Sequence, residues 1–252
     1  MKILYIGDVF GNSGREFLKM QLPNLKTQYK PNIIAINGEN LAHGKGITLK
    51  IYKEMMELGV NVITMGNHTF ANSGIYECMN EKNIVLPANL GEHDKGYTIV
   101  NFNGKKVCFI NLLGRTYIEM SLDNPFKKID EILNDVQADY YIVDFHAEAT
   151  SEKIAFGFYV DGRVDCVVGT HTHVQTNDDR VLPNKTLYIS DLGMTGPLNG
   201  VLGVDRNIII ERFKKGHAER FSPAEGQRQL CGVIIDLTNK NMPKIDKIKV
   251  YE

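Results

Sequence analysis

Short runs of aliphatic and β-branched residues recur along most of the chain, and each gives way abruptly to glycine and polar residues. Lys2 to Ile6 ends at Gly7-Asp8, Ile33 to Ile36 at Asn37-Gly38-Glu39-Asn40, and Val60 to Met65 at Gly66-Asn67-His68. Tyr140 to Val143 runs into Asp144-Phe145-His146, Val164 to Val168 into Gly169-Thr170-His171-Thr172-His173, and Leu187 to Ile189 towards Asp191. Runs this short and this continuously apolar predict buried strands. Helical spacing separates the first three. Phe17, Leu18, Leu22 and Leu25 form one stripe of a helix over 14–29, which Pro23 is expected to kink or shorten. Thr48 can cap a second helix carrying Ile51, Met55 and Leu58 and closed by Gly59. Asp8, Glu39 and Asn67 stand about 30 residues apart, the length of a βαβ unit with its right-handed crossover.

The pattern then changes. Asn103-Gly104 between Tyr97–Phe102 and Lys106–Leu112 predicts a two-residue hairpin. Asn124-Pro125 opens a helix to about Val136, and Ser151 can cap another reaching about Tyr159. Ile208–Arg212, Gln229–Leu237 and Ile245–Val250 read as antiparallel strands. Neither repeats nor an interdomain linker interrupt this order. The expectation is a single α/β domain over residues 1–252, with mixed sheets inside and helices outside.

Composition narrows the class only modestly. The 252 residues are 43% hydrophobic and 23% charged with a net charge of −1, as in ordinary globular proteins. No basic surface for stable nucleic-acid binding is indicated, so an anionic substrate must be held locally. Cys78, Cys108, Cys166 and Cys231 are scattered without a C-x-x-C, which favours core packing as reduced thiols. No apolar run approaches about 18 residues and no signal peptide is evident, so a cytoplasmic location without membrane partners is expected.

The strand ends carry the chemistry. They supply Asp8, Glu39, Asn40, Asn67, His68, His146, His171 and His173, and the carboxyl ends of parallel strands form the ligand crevice of open α/β sheets. Carboxylate, amide oxygen and imidazole suit Fe, Mn or Zn, while the absence of cysteine among them argues against an iron–sulfur cluster or structural zinc. There are more donors than one ion can use, which points to a dinuclear site with a bridging carboxylate. In an extended segment His171 and His173 face opposite ways, so they share one ion only if the chain bends, and otherwise serve two neighbouring ions. Each residue alone has a plainer reading. Asp8 can cap a helix, Asn40 and Asn67 can be turn residues, and His146 can be a satisfied core histidine. Glu39 is harder to dismiss, because a carboxylate just beyond a buried strand is costly to desolvate unpaired. His43, His93 and His217 lack this context and read as surface or structural residues.

Taken in order, Gly7-Asp8, Gly38-Glu39-Asn40, Gly66-Asn67-His68, His146 and Thr170 to His173 resemble the motifs of calcineurin-like metallophosphoesterases. Asn37 to Asn40, Asp144 to Thr150 and Asp191 to Gly196 resemble the small bacterial YmdB-like branch, whose members are cyclic-nucleotide and general phosphodiesterases. The resemblance runs from Asp8 to beyond Gly203 and implies a four-layer αββα sandwich with a dimetal centre at the strand ends. By the family pattern Asp8, Glu39, Asn40 and His173 hold one metal, and Glu39, Asn67, His146 and His171 the other, with Glu39 bridging. His68 faces the substrate as proton donor. Iron is the metal the resemblance implies, with manganese as a substitute. There are departures: Phe10 replaces a histidine of the usual D-x-H, Asn40 standing in as ligand. Gly38-Glu39-Asn40 lacks the second Asp and the Arg of the usual motif, and the acidic partner that commonly orients His68 is missing.

The implied reaction is hydrolysis of a phosphodiester by in-line attack of a bridging hydroxide, with His68 protonating the leaving oxygen. Two divalent ions facing Asp8, Glu39 and a hydroxide leave a charge of roughly +1, which matches a diester monoanion. Together with this charge match, the resemblance implies 2′,3′-cyclic nucleotides as substrates, with 3′,5′-cyclic AMP as a further diester. Arg115 and Arg180 are the nearest cations but read as loop residues, and the backbone at Gly193 to Gly196 could approach a nucleotide or form a plain turn. Three rivals remain: a phosphomonoesterase or protein phosphatase, a regulatory RNA-associated protein with a structural metal site, and a metal-dependent oxidoreductase. The last is weakest, because no facial triad with open positions is present. A homo-oligomer is left open.

Overall fold

The computed structural model describes residues 1–91, 96–217 and 220–252; His93 falls outside them. Strand β1 (Lys2–Ile6) shows how the layers arise. Its alternate residues Ile3 and Tyr5 pack into one apolar cluster and Leu4 and Ile6 into another, and all four are fully buried. A strand buried on both faces needs a cover on each. On one side the cover is a second sheet, on the other a pair of helices.

Among the described residues, the first sheet has eight strands. Its order is β2 (Asp8–Val9), β12 (Met194–Pro197), β13 (Arg228–Asp236), β1, β3 (Ile33–Asn37), β4 (Val62–Thr64) and β5 (Ile84–Val85), with β14 (Lys244–Tyr251) paired to β13. The second has six, in the order β10 (Arg180–Val181), β11 (Leu187–Ile189), β9 (Cys166–Thr170), β8 (Tyr140–His146), β7 (Lys105–Leu113) and β6 (Tyr97–Phe102). Both are mixed: β1, β3, β4 and β5 run parallel, as do β7, β8, β9 and β11, while β13 and β6 pair antiparallel with their neighbours. Helices α1 (Gly11–Tyr29) and α2 (Leu49–Glu57) cover the outer face of the first sheet. Helices α3 (Pro125–Asp135) and α4 (Thr150–Tyr159) cover that of the second. Three apolar clusters thus separate four layers, the expected αββα sandwich.

Local signals mostly act as anticipated. Thr48 accepts from the Ile51 N–H at 3.4 Å and Asn124 from the Phe126 N–H at 2.9 Å. Asn103 and Gly104 turn with φ of 49° and 75°, as the hairpin requires. All four cysteines are buried and free. Three expectations need correction. Helix α1 is not shortened at Pro23 but continues to Tyr29, with Leu22 and Leu25 on either side of the proline both buried and holding it on the sheet. Ser151 lies inside the first turn of α4 instead of capping it; the cap position is Ala149, without a side-chain bond.

The third concerns Ile208–Arg212, which is helical, within α5 (Arg206–Lys215). No residue of α5 is buried, so its β-branched run has no sheet to join. Asp205 accepts from the Asn207 N–H at 2.8 Å, Gly216 closes the helix in a left-handed conformation, and Arg212, Lys214 and Lys215 sit at the favourable end of its dipole.

Candidate metal centre

The carboxyl ends of the two parallel sets meet at one edge of the sandwich. Asp8 comes from β2, Glu39 and Asn40 from the turn after β3, Asn67 and His68 from the turn after β4, His146 from the end of β8, and His171 and His173 from the turn after β9. All eight residues are brought together. One donor atom each from Glu39, His146 and His171 lie within 4.8 Å of one another, and so do those from Asp8, Glu39 and His173. Glu39 belongs to both groups. His171 and His173 fall in different groups, and the chain reaches this arrangement by taking positive φ at both, 102° and 64°, a conformation uncommon for non-glycine residues.

The tautomer of each imidazole can be read from its second nitrogen. The Thr170 hydroxyl gives its one proton to Asp144 Oδ1 at 2.6 Å, so it accepts from His146 Nδ1 at 2.8 Å. The lone pair of His146 is then on Nε2, which lies 3.0 Å from Asn67 Oδ1, 3.1 Å from His171 Nδ1 and 3.3 Å from Glu39 Oε2. His171 donates through Nε2 to Glu148 at 3.0 Å, and His173 through Nδ1 to the Leu202 carbonyl at 3.1 Å. Three imidazole lone pairs therefore face inward, each held there by an outer partner.

The residues fit a pair of cations. Asp8 is fully buried, yet its Oδ1 has no hydrogen-bond partner among the described residues, an arrangement that costs free energy unless a charge answers it. Burial pushes Asp8 well above its usual carboxylate range. Burial alone would lower His146, but the crowd of acceptors, Glu39 first, lifts it to about 9. The same point in space thus calls for positive charge from several directions. Gly66 leaves room for the donors, since a Cβ there would collide with Glu39 Oε2 and His146.

Asn40 and His68 form a second tier. The Asn40 amide nitrogen faces Glu39 Oε1 at 3.0 Å and His173 Nε2 at 3.1 Å, while its oxygen faces His68 Nδ1 at 3.2 Å. A half-turn of the amide presents the oxygen to the Asp8–Glu39–His173 group instead. His68 finds its partners in Asn40 and in Glu39, whose Oε1 lies 3.6 Å from Nδ1, so no separate acidic residue is needed to orient it. Burial lowers its pKa, and the charge of Lys45 pushes the same way.

Sequence reasoning missed a buried ion pair beneath the turn. Lys153 and Asp191, both 1% exposed, meet at 2.7 Å. Lys153 also donates to the Thr170 carbonyl at 2.8 Å, and Asp191 accepts from the backbone N–H groups of Thr172 at 3.0 Å and Gly193 at 2.9 Å. The pair grips the turn that carries His171 and His173. A signal existed: Lys153, Phe156, Gly157 and Val160 fall on one helical stripe, and a lysine there needs a buried anion.

A cavity of about 640 Å³ opens over Glu39, Asn40, His68, His171 and His173; Lys45, His43, Asn72, Leu202, Val204, Arg220 and Phe221 line it with them. Arg115 and Arg180 do not line it; Arg180 lies over the rings of Phe158 and Tyr188. Gly193 to Gly196 do not either: residues 194–197 form buried strand β12. Phe10 fills its position sterically, its ring wedged against Gly44 and Gly203. His43 and His217 are exposed, His43 on the cavity wall.

The chain is similar to known proteins over its whole length. The chain is 51% identical to a 2′,3′-cyclic-nucleotide 2′-phosphodiesterase of Bacillus subtilis strain 168, over 100% of this chain and 98% of that one. A protein of Thermus thermophilus, described as hypothetical, superposes with a TM-score of 0.94 at 34% identity, covering 100% of both chains. A Mycoplasma pneumoniae protein described as a novel phosphatase superposes with a TM-score of 0.93 at 39% identity, covering 100% of this chain and 94% of its own. The family model for the YmdB-like protein matches residues 4–249, and the chain belongs to that family.

Proposed function

We propose that the chain is a dinuclear metal-dependent phosphodiesterase acting on 2′,3′-cyclic nucleotides, with 3′,5′-cyclic AMP as a further substrate. The observation that carries this reading is the sharing of Glu39 between two three-residue donor groups. We assign Asp8, Glu39, Asn40 and His173 to one ion and Glu39, Asn67, His146 and His171 to the other, and residues 1–252 to one domain whose two sheets jointly hold them. Iron suits this mixture of imidazole, amide oxygen and carboxylate, and manganese is the alternative. When bound, two such ions supply an activated water and neutralise charge on the phosphoryl oxygens.

The remaining work belongs to side chains. Asp8 and Glu39, both buried, keep the donor set short of full neutralisation by protein, which leaves positive charge for an anionic substrate. His68, about a third exposed, stands on the cavity wall with Nδ1 tied to Asn40. With the Asn40 oxygen turned to the donor group, the Asn40 amide N–H donates to Nδ1, so the ring proton sits on Nε2, the atom through which His68 can pass it to the departing ribose oxygen. The name of the Bacillus relative and the single charge of a cyclic diester support this choice over a monoester. The test is kcat/KM for 2′,3′-cyclic AMP against 5′-AMP and a phosphoserine peptide at equal metal loading. A tenfold or larger preference for the monoesters replaces this reading with a phosphatase, as the description of the Mycoplasma relative has it.

A further inference from the structure

The loop from Leu41 to Ile47 rises directly from the Glu39–Asn40 turn. His43, Gly44 and Gly46 all take left-handed backbone, with φ of 53°, 86° and 72°. Space as well as conformation demands the glycines. A Cβ on Gly44 would lie 2.9 Å from the Phe10 ring, and one on Gly46 2.7 Å from Asn72 Cβ. Backbone bonds close the loop: Gly44 N–H to Asn40 O at 3.2 Å, Lys45 N–H to Ala42 O at 3.0 Å, Ala42 N–H to Gly46 O at 2.9 Å, and Gly46 N–H to Glu39 O. Lys45, between the two glycines, thus stands on a braced backbone. Its side chain is exposed and lines the cavity over Glu39, Asn40 and His68. Among the described residues it has no ion-pair partner, whereas Lys105, Lys128 and Lys214 all engage carboxylates.

We propose that Lys45 binds the phosphoryl group of the substrate, its ammonium meeting a non-bridging oxygen as the ester settles over the donor set. This rests on the phosphodiesterase reading above. A compact point charge on a flexible stem can follow an oxygen whose position shifts during in-line displacement. Being exposed, it acts chiefly on binding, and its effect fades as salt rises.

The experiment compares the full-length metal-loaded protein with Lys45→Ala and Lys45→Arg, reading kcat and KM on 2′,3′-cyclic AMP and, separately, the Kd of inorganic phosphate by calorimetry. Elemental analysis and thermal melting confirm equal metal content and folding. Lys45→Ala should lower kcat/KM about ten- to a hundredfold, mostly through KM, and weaken phosphate by a similar factor. Lys45→Arg should recover most of both, and Arg115→Ala, away from the cavity, should change neither. A Lys45→Ala protein within threefold of the parent in kcat/KM and phosphate affinity overturns the proposal. If the parent fails to cleave cyclic diesters but binds phosphate in a Lys45-dependent way, the diesterase reading falls and the lysine assignment stands. A parent that binds no phosphate and cleaves no ester overturns both.

Discussion

The floor and the rim of the cavity are built on different terms. On the floor, Asp8, Glu39, Asp144, His146 and Thr170 are at most 1% exposed, and His146 reaches Asp144 through Thr170 in an unbroken hydrogen-bonded line. On the rim, Leu202 is 48% and Phe221 44% exposed, and Lys45 is exposed on the cavity wall. Groups fixed by several buried partners hold one geometry; groups on loops can differ without disturbing the fold. The contrast suggests that the floor decides which bond is broken and the rim decides which ester is brought to it.

Glu39→Ala is the harshest test of the floor. Because Glu39 belongs to both donor groups, elemental analysis should fall from two ions per chain to less than one, with hydrolysis at background. Two ions retained, or one ion in the parent protein, would end the dinuclear assignment. His68→Ala probes the junction of floor and rim. It should keep both ions and lose about 10²–10⁴-fold in kcat on 2′,3′-cyclic AMP, but clearly less on a nitrophenyl ester, whose leaving group needs little protonation. Equal losses on the two substrates would remove it as proton donor.

Lys153→Met separates support from chemistry. It strands the Asp191 carboxylate in the interior, so unfolding in urea should show a loss of about 3–5 kcal/mol, and metal titration a weakening of about 10–100-fold. Unchanged metal affinity in a destabilised protein would make the pair purely structural. The smallest effect should come from the rim. Phe221→Ala should cost about fivefold in kcat/KM on cyclic nucleotides and nothing on bis(nitrophenyl) phosphate. A matching loss on both esters would mean that Phe221 acts on the shape of the site rather than on the base.

The floor was legible in the sequence for a physical reason. Strands buried on both faces announce themselves by their apolar runs, and a carboxylate or imidazole at the end of each stands out against that background. Asp8, Glu39, Asn67, His146, His171 and His173 were all visible in this way. The rim was not, since Lys45 and Arg220 sit on loops, where charge is commonplace and no period marks direction. Arg115 and Arg180, the nearest cations in the sequence, read as loop residues, and neither lines the cavity. Ile208–Arg212 is different: its three consecutive isoleucines have a strand's composition, while the helix is decided by its caps, Asp205 and Gly216, which lie beyond that run on either side.

Asp144 has a consequence for how the two sheets find each other. Apolar packing between them is non-directional, so by itself it would tolerate one sheet sliding over the other by part of a residue. Asp144 belongs to the second sheet, yet its Oδ2 accepts from Thr64 at 2.5 Å, Asn37 at 3.0 Å and Tyr5 at 3.3 Å, all on the first. Directional bonds at that one end act as an indexing pin. Glu39 on one plate and His146 on the other can meet at 3.3 Å because the pin sets the offset at which the plates lock.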